Sequence, residues 1–390
     1  MAGTLVVDLS RALAGPHAAM MLGDLGARVI KVENPDGGDD SRGWGPPFVT
    51  AGGKLADADV EDRESTYFLS CNRNKESVTA DLKSPAGKEL LTRLVRHADV
   101  LVENFRTGVL DRLGFSMEQL HAINPRLVVL SITGFGHDGP EGGRPGYDQI
   151  AQGEAGVMSL TGPSPDTPVK VGVPIGDLLA GMYGAYGAVA ALHERERTGR
   201  GTVVRTSLLA ALVGVHAFQG TRYTVAGEVP RGQGNHHPSI CPYGLFHCAD
   251  GMVQIAVGSE TLWRRFATAF DLPLDAPGFA RNTDRVTNRE AVHAAIEAAF
   301  APYPMAELLP RLADAGVPAG EVRTLDRVYE WEQTRSQGLL VDVEHPLAGR
   351  LTLPGPPLRF DGSTPVDHTA PPRLGQHDAS VRAWLDGLDA

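Results

Sequence analysis

The sequence predicts an α/β protein: a parallel sheet covered by helices on both faces, followed by a smaller α+β unit. Three observations carry this expectation. The first 135 residues alternate short apolar runs with amphipathic segments. Those runs are continuous and not alternately polar, as strands are when both faces of a sheet are buried. Around residues 220–245 the composition turns to Gly, Pro, His and Tyr, which marks a boundary.

Each element follows in order. Leu5-Val6-Val7-Asp8-Leu9 reads as a short buried strand. Gly15-Pro16 opens a helix, because proline in a first turn loses no hydrogen bond. That helix runs through Met20 and Leu25 to a capping Gly26. Residues 28–33 form the next strand, ended by Pro35, Gly37 and Gly38, and 76–81 another. Ser84-Pro85 supplies an N-cap and first helical residue, and Leu90, Leu91, Leu94 and Val95 share one face of the helix behind it. Two further apolar strands, 99–104 and 126–131, are separated by a helix at 117–123.

A long helix is expected from Leu178 to about Arg197, stopped by Gly199. Gly181, Gly184 and Gly187 recur along it every three residues, so some partner packs closely against that face. Residues 203–215 continue apolar. In the smaller unit 252–257 reads as strand, with helices near 288–300 and 305–315. The stretch beyond 330, with strand-like 339–343 and 351–353, is too irregular for a core of its own and is expected to return to the first domain. The expected division is 1–220, 221–329 and 330–390.

Composition narrows the function. At about 150 residues per domain, 390 residues make two or three units. Hydrophobic residues at 42% and charged ones at 21% are those of a globular protein with a full core. A formal net charge of −11 argues against nucleic-acid or anionic-membrane partners. The three cysteines, Cys71, Cys241 and Cys248, make no disulfide framework and point to a reducing cytoplasm. The first thirty residues lack a basic segment followed by an apolar core, and no stretch approaches the roughly 18–20 uncharged apolar residues of a membrane span. Neither a fixed-period repeat nor a low-complexity tract is present.

Asp177, in Val173-Pro174-Ile175-Gly176-Asp177-Leu178, is the first candidate for chemistry. Its bland reading is an N-cap on the long helix. Its functional reading uses the same physics: a helix N-terminus holds a carboxylate ionised and oriented, and such a carboxylate can act as a nucleophile. Thirty residues earlier stands Tyr147-Asp148, with Asp148 expected as a cap or loop anchor. The run from His236 to Cys248 lacks zinc-ligand spacing, so no metal is expected. Basic residues at element ends (Arg11, Lys31, Arg73, Lys75, Lys83 and Arg112) could hold phosphates, although scattered cations usually mark a solvated surface. The first strand is not followed by Gly-x-Gly-x-x-Gly, against a nicotinamide fingerprint, and no Gly-x-Ser-x-Gly elbow appears.

A set of segments goes further. These are Asp8-Leu9-Ser10-Arg11 with Ala14-Gly15-Pro16, Leu25-Gly26-Ala27-Arg28-Val29-Ile30-Lys31-Val32-Glu33 and Asn74-Lys75-Glu76-Ser77-Val78. Asp99 to Phe105, Thr133-Gly134-Phe135-Gly136, Gly176-Asp177 with Gly181-Met182, and Thr198-Gly199-Arg200-Gly201 follow. Near the end come His345-Pro346, Pro354-Gly355-Pro356 and Leu374-Gly375-Gln376-His377. In this order, over essentially the whole chain, they resemble family III CoA-transferases, which include formyl-CoA, carnitine-CoA and dicarboxylate CoA-transferases.

The resemblance implies a Rossmann-like large domain built from both chain ends, a smaller domain between, and a homodimer of two ring-like subunits threaded through each other. That arrangement would account for the returning tail and the glycine-lined helix. It implies CoA transfer from an acyl-CoA to a carboxylic acid, with Asp177 as nucleophile and Tyr147 positioning a carboxylate or carbonyl. CoA is then a thioester substrate, and no cofactor is tightly bound. Racemases of 2-methylacyl-CoA on this fold, the alternative, place a histidine where Tyr147 stands. A phenol with an ordinary pKa near 10 is a poor base at neutral pH. CoA contacts carry over to Arg11, Ala12 and Ala14 of the first loop, to Lys83, and to Asn104, Phe105 and Arg112. Gly134 is placed at the oxyanion and CoA side. Asn34 and Leu13 depart from the pattern. Gly232 and Gly234 correspond to a mobile glycine loop. Arg144, His236 and His237 are candidates to recognise a second carboxylate, as in succinate.

Overall fold

The apolar runs of the first half pair into one parallel sheet. In a computed structural model describing residues 1–361 and 366–390, its strands are β1 (Leu5–Asp8), β2 (Arg28–Glu33), β3 (Lys75–Thr79), β4 (Val100–Glu103), β5 (Val128–Thr133) and β6 (Val203–Ser207). Their order is β3-β2-β1-β4-β5-β6, all parallel. Side chains along a strand alternate between its faces. Val6, Val29, Val100, Val102, Val128 and Leu130 enter one core, while Leu5, Val7, Ile30, Val32, Leu101 and Val129 enter the other. Both faces are therefore apolar, which is why the strands read as uninterrupted hydrophobic runs.

Helices cover each face. They are α1 (Ala14–Asp24), α2 (Pro85–His97), α3 (Val109–Leu113), α4 (Met117–Ile123), α5 (Asp148–Glu154), α6 (Ile175–Thr198) and α7 (Leu208–Gly214); α8 (Ala217–Ala226) follows with no residue buried. Ala18, Ala19 and Leu22 of α1 pack with Ala180, Ala185 and Ala188 of α6 on the Val6 face. Leu90, Leu91, Leu94 and Val95 of α2 and Leu120 of α4 cover the other. Serine caps behave as their spacing predicts: Ser84 accepts the Gly87 amide, and Ser116 forms a reciprocal capping box with Gln119.

The glycine face of α6 meets this chain's own elements. A Cβ on Gly181 would lie 2.7 Å from the Ala14 carbonyl, one on Gly184 3.0 Å from Leu130, and one on Gly187 2.6 Å from Val204. The close partner is thus α1 together with β5 and β6, not a second subunit. By length and composition α6 is also apolar enough to cross a membrane, contrary to the sequence expectation. Small residues on its packed face let it lie against the sheet.

The chain divides into two compact units. The larger comprises Met1–Val157, Lys170–Glu228 and Glu332–Ala390, and the smaller Met158–Val169 and Val229–Trp331. The smaller unit holds an antiparallel sheet of β7 (Tyr243–Cys248), β8 (Gly251–Ala256) and β9 (Ala319–Glu321), with α9 (Glu260–Ala269), α10 (Arg289–Phe300) and α11 (Met305–Asp314). Its core is aromatic, built on Phe246, Trp263, Phe266 and Phe300. The short segment 158–169 belongs with it, although chain order alone would keep that segment with the first domain. After residue 332 come the hairpin β10 (Leu340–His345) and β11 (Gly349–Pro354), and then α12 (Asp378–Asp389). Val381 and Leu385 of α12 are fully buried among the residues of α2, and Asp378 accepts the Thr79 amide and hydroxyl at 2.8 and 2.7 Å.

Candidate active site

From β1 the sheet grows outward in both directions, so the chain reverses direction between β1 and β4. In doubly wound sheets the crevice at the carboxyl ends of such a strand pair is where ligands bind. The loops leaving β1 and β4 are tied to each other there. The Arg11 amide donates to Asn104 Oδ1 at 2.8 Å, and Asn104 Nδ2 donates to the Arg11 carbonyl at 2.7 Å. Ala12 takes a left-handed backbone (φ 67°), held by its amide donating to Asp39 Oδ1 at 3.0 Å. Side chains disfavour that region, so the loop is stiffened in one conformation.

A cavity of about 680 Å³ opens at this point. Arg11, Ala12, Ala14, Asn104 and Phe105 form one wall, and Gly134, Arg144, Tyr147, Asp148 and Asp177 another. Gly134 and Gly146 touch backbone to backbone, since a Cβ on Gly134 would lie 2.8 Å from the Gly146 Cα and nitrogen. Only glycines permit that approach, and it fixes the Gly146-Tyr147-Asp148 corner beside the end of β5.

Asp177 stands in the first turn of α6 and not at its cap. The helix begins at Ile175, with Pro174 in the cap position. The capping work is done from a distance by Asp148, whose Oδ1 accepts the Gly176 amide at 2.7 Å. Its Oδ2 accepts from the buried Gln152 amide at 2.6 Å, and Gln152 Oε1 accepts the Val171 amide at 2.8 Å. Asp177 is left free of capping and faces the cavity. Burial first, and then the charge of Asp148, push its carboxyl up to about 7. The helix terminus favours the ionised form, while burial and Asp148 act against it.

Tyr67 also lines the cavity and packs edge-on to Trp44, ring centroids 4.9 Å apart. Burial and the neighbouring Asp177 raise its phenol above the usual range, so it stays a hydrogen-bond donor. Nothing in its local sequence, Glu64-Ser65-Thr66-Tyr67, signals this position. A smaller cavity of about 260 Å³ shares Arg11 and Phe105 with the first and is lined by Lys83, Asn34 and Val109. Arg112 is exposed on α3, the helix that supplies Val109.

A family model described as CoA-transferase family III matches residues 1–378. The chain belongs to this family. It is 39% identical to a protein of Agrobacterium fabrum named succinate–glutarate CoA-transferase, over 100% of this chain and 96% of that one. Identity to the mouse protein named succinyl-CoA:glutarate CoA-transferase is 38%, over 97% and 85% of the two chains. A solved CaiB/BaiF family protein from Brucella suis superposes with a TM-score of 0.87 at 40% identity, covering 99% of each chain.

In this CoA-transferase the candidate residues are distributed unevenly. Asp177, Tyr147, Arg11, Ala12, Ala14, Asn104, Phe105, Gly134 and Arg144 converge on the larger cavity, and Lys83 on the smaller. Tyr147 is 71% exposed. Arg144 is already paired with Glu154 at 2.7 Å and Glu141 at 3.5 Å. Lys31, Lys75 and Arg73 are buried and consumed in ion pairs with Asp39, Asp8 and Asp24, so they are not available to phosphates.

Gly232, Gly234, His236 and His237 belong to the smaller unit. There the Gly232 and Gly234 amides donate to the Ser159 and Gly162 carbonyls, both at 2.8 Å. His236 packs on His293, ring centroids 4.1 Å apart, and meets Phe246 edge-on. His237 packs on Tyr243 and accepts the Ser239 amide on Nδ1 at 3.1 Å. Among the described residues no group of three or more His, Cys, Asp or Glu could hold a metal ion.

Proposed function

We propose that the enzyme moves CoA between dicarboxylic acids through covalent intermediates on Asp177. One observation carries this reading: a desolvated carboxyl, held at about 7, faces an open cavity at the reversal point of the sheet. Such a carboxylate is poorly solvated and basic for its type, and hence a better nucleophile than an exposed aspartate. Beside Asp148 its charge is costly. Acylation turns it into a neutral anhydride and relieves that cost in the step that forms the bond.

The steps balance as follows. An Asp177 oxygen attacks the thioester carbonyl, the C–S bond breaks, and CoA leaves as thiolate from an acyl-aspartyl anhydride. The thiolate attacks the aspartyl carbonyl and expels the first acid as carboxylate, leaving an aspartyl-CoA thioester. The acceptor carboxylate attacks that thioester, releasing thiolate from a second anhydride. Thiolate then takes the acceptor acyl group and frees Asp177. The Tyr67 and Tyr147 hydroxyls and the Gly134 amide region are suited to steady the oxyanions. Arg11, Asn104, Phe105 and Lys83, which line the two cavities, are the residues we assign to CoA. Relatives named for succinate and glutarate support a dicarboxylate pair.

A homodimer is supported by α6, whose outer face exposes Met182, Tyr183, Val189 and, at 75%, Tyr186. An apolar stripe of this size favours a second copy. Three free thiols support a cytoplasmic location.

Incubation with succinyl-CoA followed by hydroxylamine and intact-mass analysis tests the mechanism. A hydroxamate on the peptide carrying Asp177 is expected. An unmodified peptide, or full activity in Asp177→Ala, would sink it. Exchange of the α-proton of a 2-methylacyl-CoA with deuterium would instead favour racemisation.

A further inference from the structure

We propose that Lys170 reads the free carboxylate of a dicarboxylyl substrate, a specificity role that rests on the Asp177 reading above. The succinate or glutarate group must enter a site already crowded with negative charge: Asp40, Asp148 and Asp177 line the same cavity as Arg144, whose partners are Glu141 and Glu154. A second carboxylate needs a cation that is not already neutralised.

Four cationic side chains line that cavity: Arg11, Arg106, Arg144 and Lys170. Arg11 pairs with Asp40 at 3.4 Å and lies over the Phe105 ring at 5.6 Å. Arg144 is clamped by its two glutamates and stacks on Phe135 at 4.5 Å. Arg106 also has no carboxylate partner among the described residues, but it follows Asn104-Phe105 directly on the loop leaving β4, where the reading above puts CoA. Lys170 differs from Arg11 and Arg144 in its lack of a carboxylate partner, and from Arg106 in the bracing of its backbone to the Asp177 helix. Its ammonium makes one contact, to the neighbouring Val171 carbonyl at 3.3 Å, and no carboxylate among the described residues pairs with it. Two of its three donors have no partner among the described residues.

Its base is also fixed with respect to the reacting group. Three hydrogen bonds run from the Val171 amide through Gln152 and Asp148 to the Gly176 amide, next to Asp177. Gln152 is completely buried, so this brace is rigid. The backbone of residues 170–171 is thereby held at a set distance from the nucleophile. The flexible stem of lysine adds reach, and a compact point charge tolerates acids of slightly different length better than a planar fork does.

The test compares succinyl-CoA with butyryl-CoA, which has the same chain length without the distal carboxylate. Acylation of Asp177 is followed by hydroxylamine trapping in the full-length enzyme. Lys170→Gln should lower kcat/KM for succinyl-CoA roughly 10- to 100-fold, the scale of a charge-assisted hydrogen bond. The value for butyryl-CoA and the Kd for free CoA should stay within about twofold, and Lys170→Arg should recover most of the succinyl-CoA rate. Equal losses with both thioesters would show a structural role and overturn the assignment, as would an unchanged succinyl-CoA rate in Lys170→Gln. Absence of any trapped Asp177 in the unaltered enzyme would instead remove the covalent mechanism itself.

Discussion

Asp148 Oδ1 accepts the amide of Gly176 at 2.7 Å, so the helix carrying the candidate nucleophile is capped by a carboxylate 28 residues upstream. That bond places two acids side by side at one helix start. One is satisfied by backbone, and the other is left to the cavity with its proton affinity raised.

The first prediction concerns pH. If Asp177 must be ionised to attack, kcat/KM falls about tenfold per unit below roughly pH 7, where its carboxyl titrates. Asp148→Asn keeps an oxygen for the Gly176 amide but removes the like charge. The acid limb of the profile should therefore move to lower pH. A limb that stays in place, measured over pH 5–9, would exclude Asp148 as a source of the shift.

The second separates activity from stability. Asp177→Asn should lower turnover by at least about 10³-fold, as loss of a covalent nucleophile does. Because the folded-state carboxyl lies above its unfolded value of 3.8, its favourable contribution is complete below that value and is lost as pH rises through about 7. The variant should therefore be more stable than the parent at pH 8, on the order of 1–3 kcal/mol, and show little gain at pH 4. Thermal melts at the two pH values decide this.

The third tests the close approach of α1 and α6. Gly181→Ala puts a Cβ 2.7 Å from the Ala14 carbonyl. Backbone must move to accept it, at a cost of about 1–3 kcal/mol. Since Ala14 adjoins the Arg11–Ala12 loop, the Kd for CoA should rise together with the fall in Tm. Gly199→Ala, where no atom lies within 4 Å of the added carbon but φ is 72°, should lower Tm without touching CoA affinity.

The fourth addresses the ion cluster under the first loop. Lys75 Nζ donates to Asp8 Oδ2 at 2.9 Å and to Pro16 and Asn72 oxygens at 2.8 Å, all buried. Lys75→Met leaves Asp8 with Lys31 at 3.8 Å and should cost about 3–5 kcal/mol in denaturant unfolding. Burial alone would raise the neighbouring Asp39, yet Lys31 and the hydrogen bonds around it outweigh this and hold its carboxyl at about 2. Stability from that pair is present above the ordinary aspartate pKa and is lost as pH falls toward 2.

Much of the architecture is legible because burial on both faces writes itself as Leu5–Asp8, Val100–Glu103 and Val128–Thr133. Strand Val203–Ser207 is harder to read. It runs without a break into α7, and a short apolar stretch has no period by which to divide it. Asp177 was visible as a helix-start carboxylate, but the helix boundary was not, since its cap comes from Asp148 in a different element. Lys31 and Lys75 resemble surface cations in sequence. Only the fold shows them enclosed: Asp8 lies far from Lys75 along the chain, and Asp39 is turned back onto Lys31 by the loop after β2. Arg144 likewise reads as a free cation until the fold sets Glu154 beside it, while Lys170 attracts no notice at all.

The final helix, Asp378–Asp389, seats Val381 and Leu385 against a helix that begins almost 300 residues earlier. During translation the larger unit therefore stays open until residues 378–389 have cleared the ribosome. The unit inserted within it has every segment in hand well before then. Synthesis should yield a finished inner body on an unfinished outer one, with the exposed Leu90–Val95 surface as the natural target for chaperones in the interval.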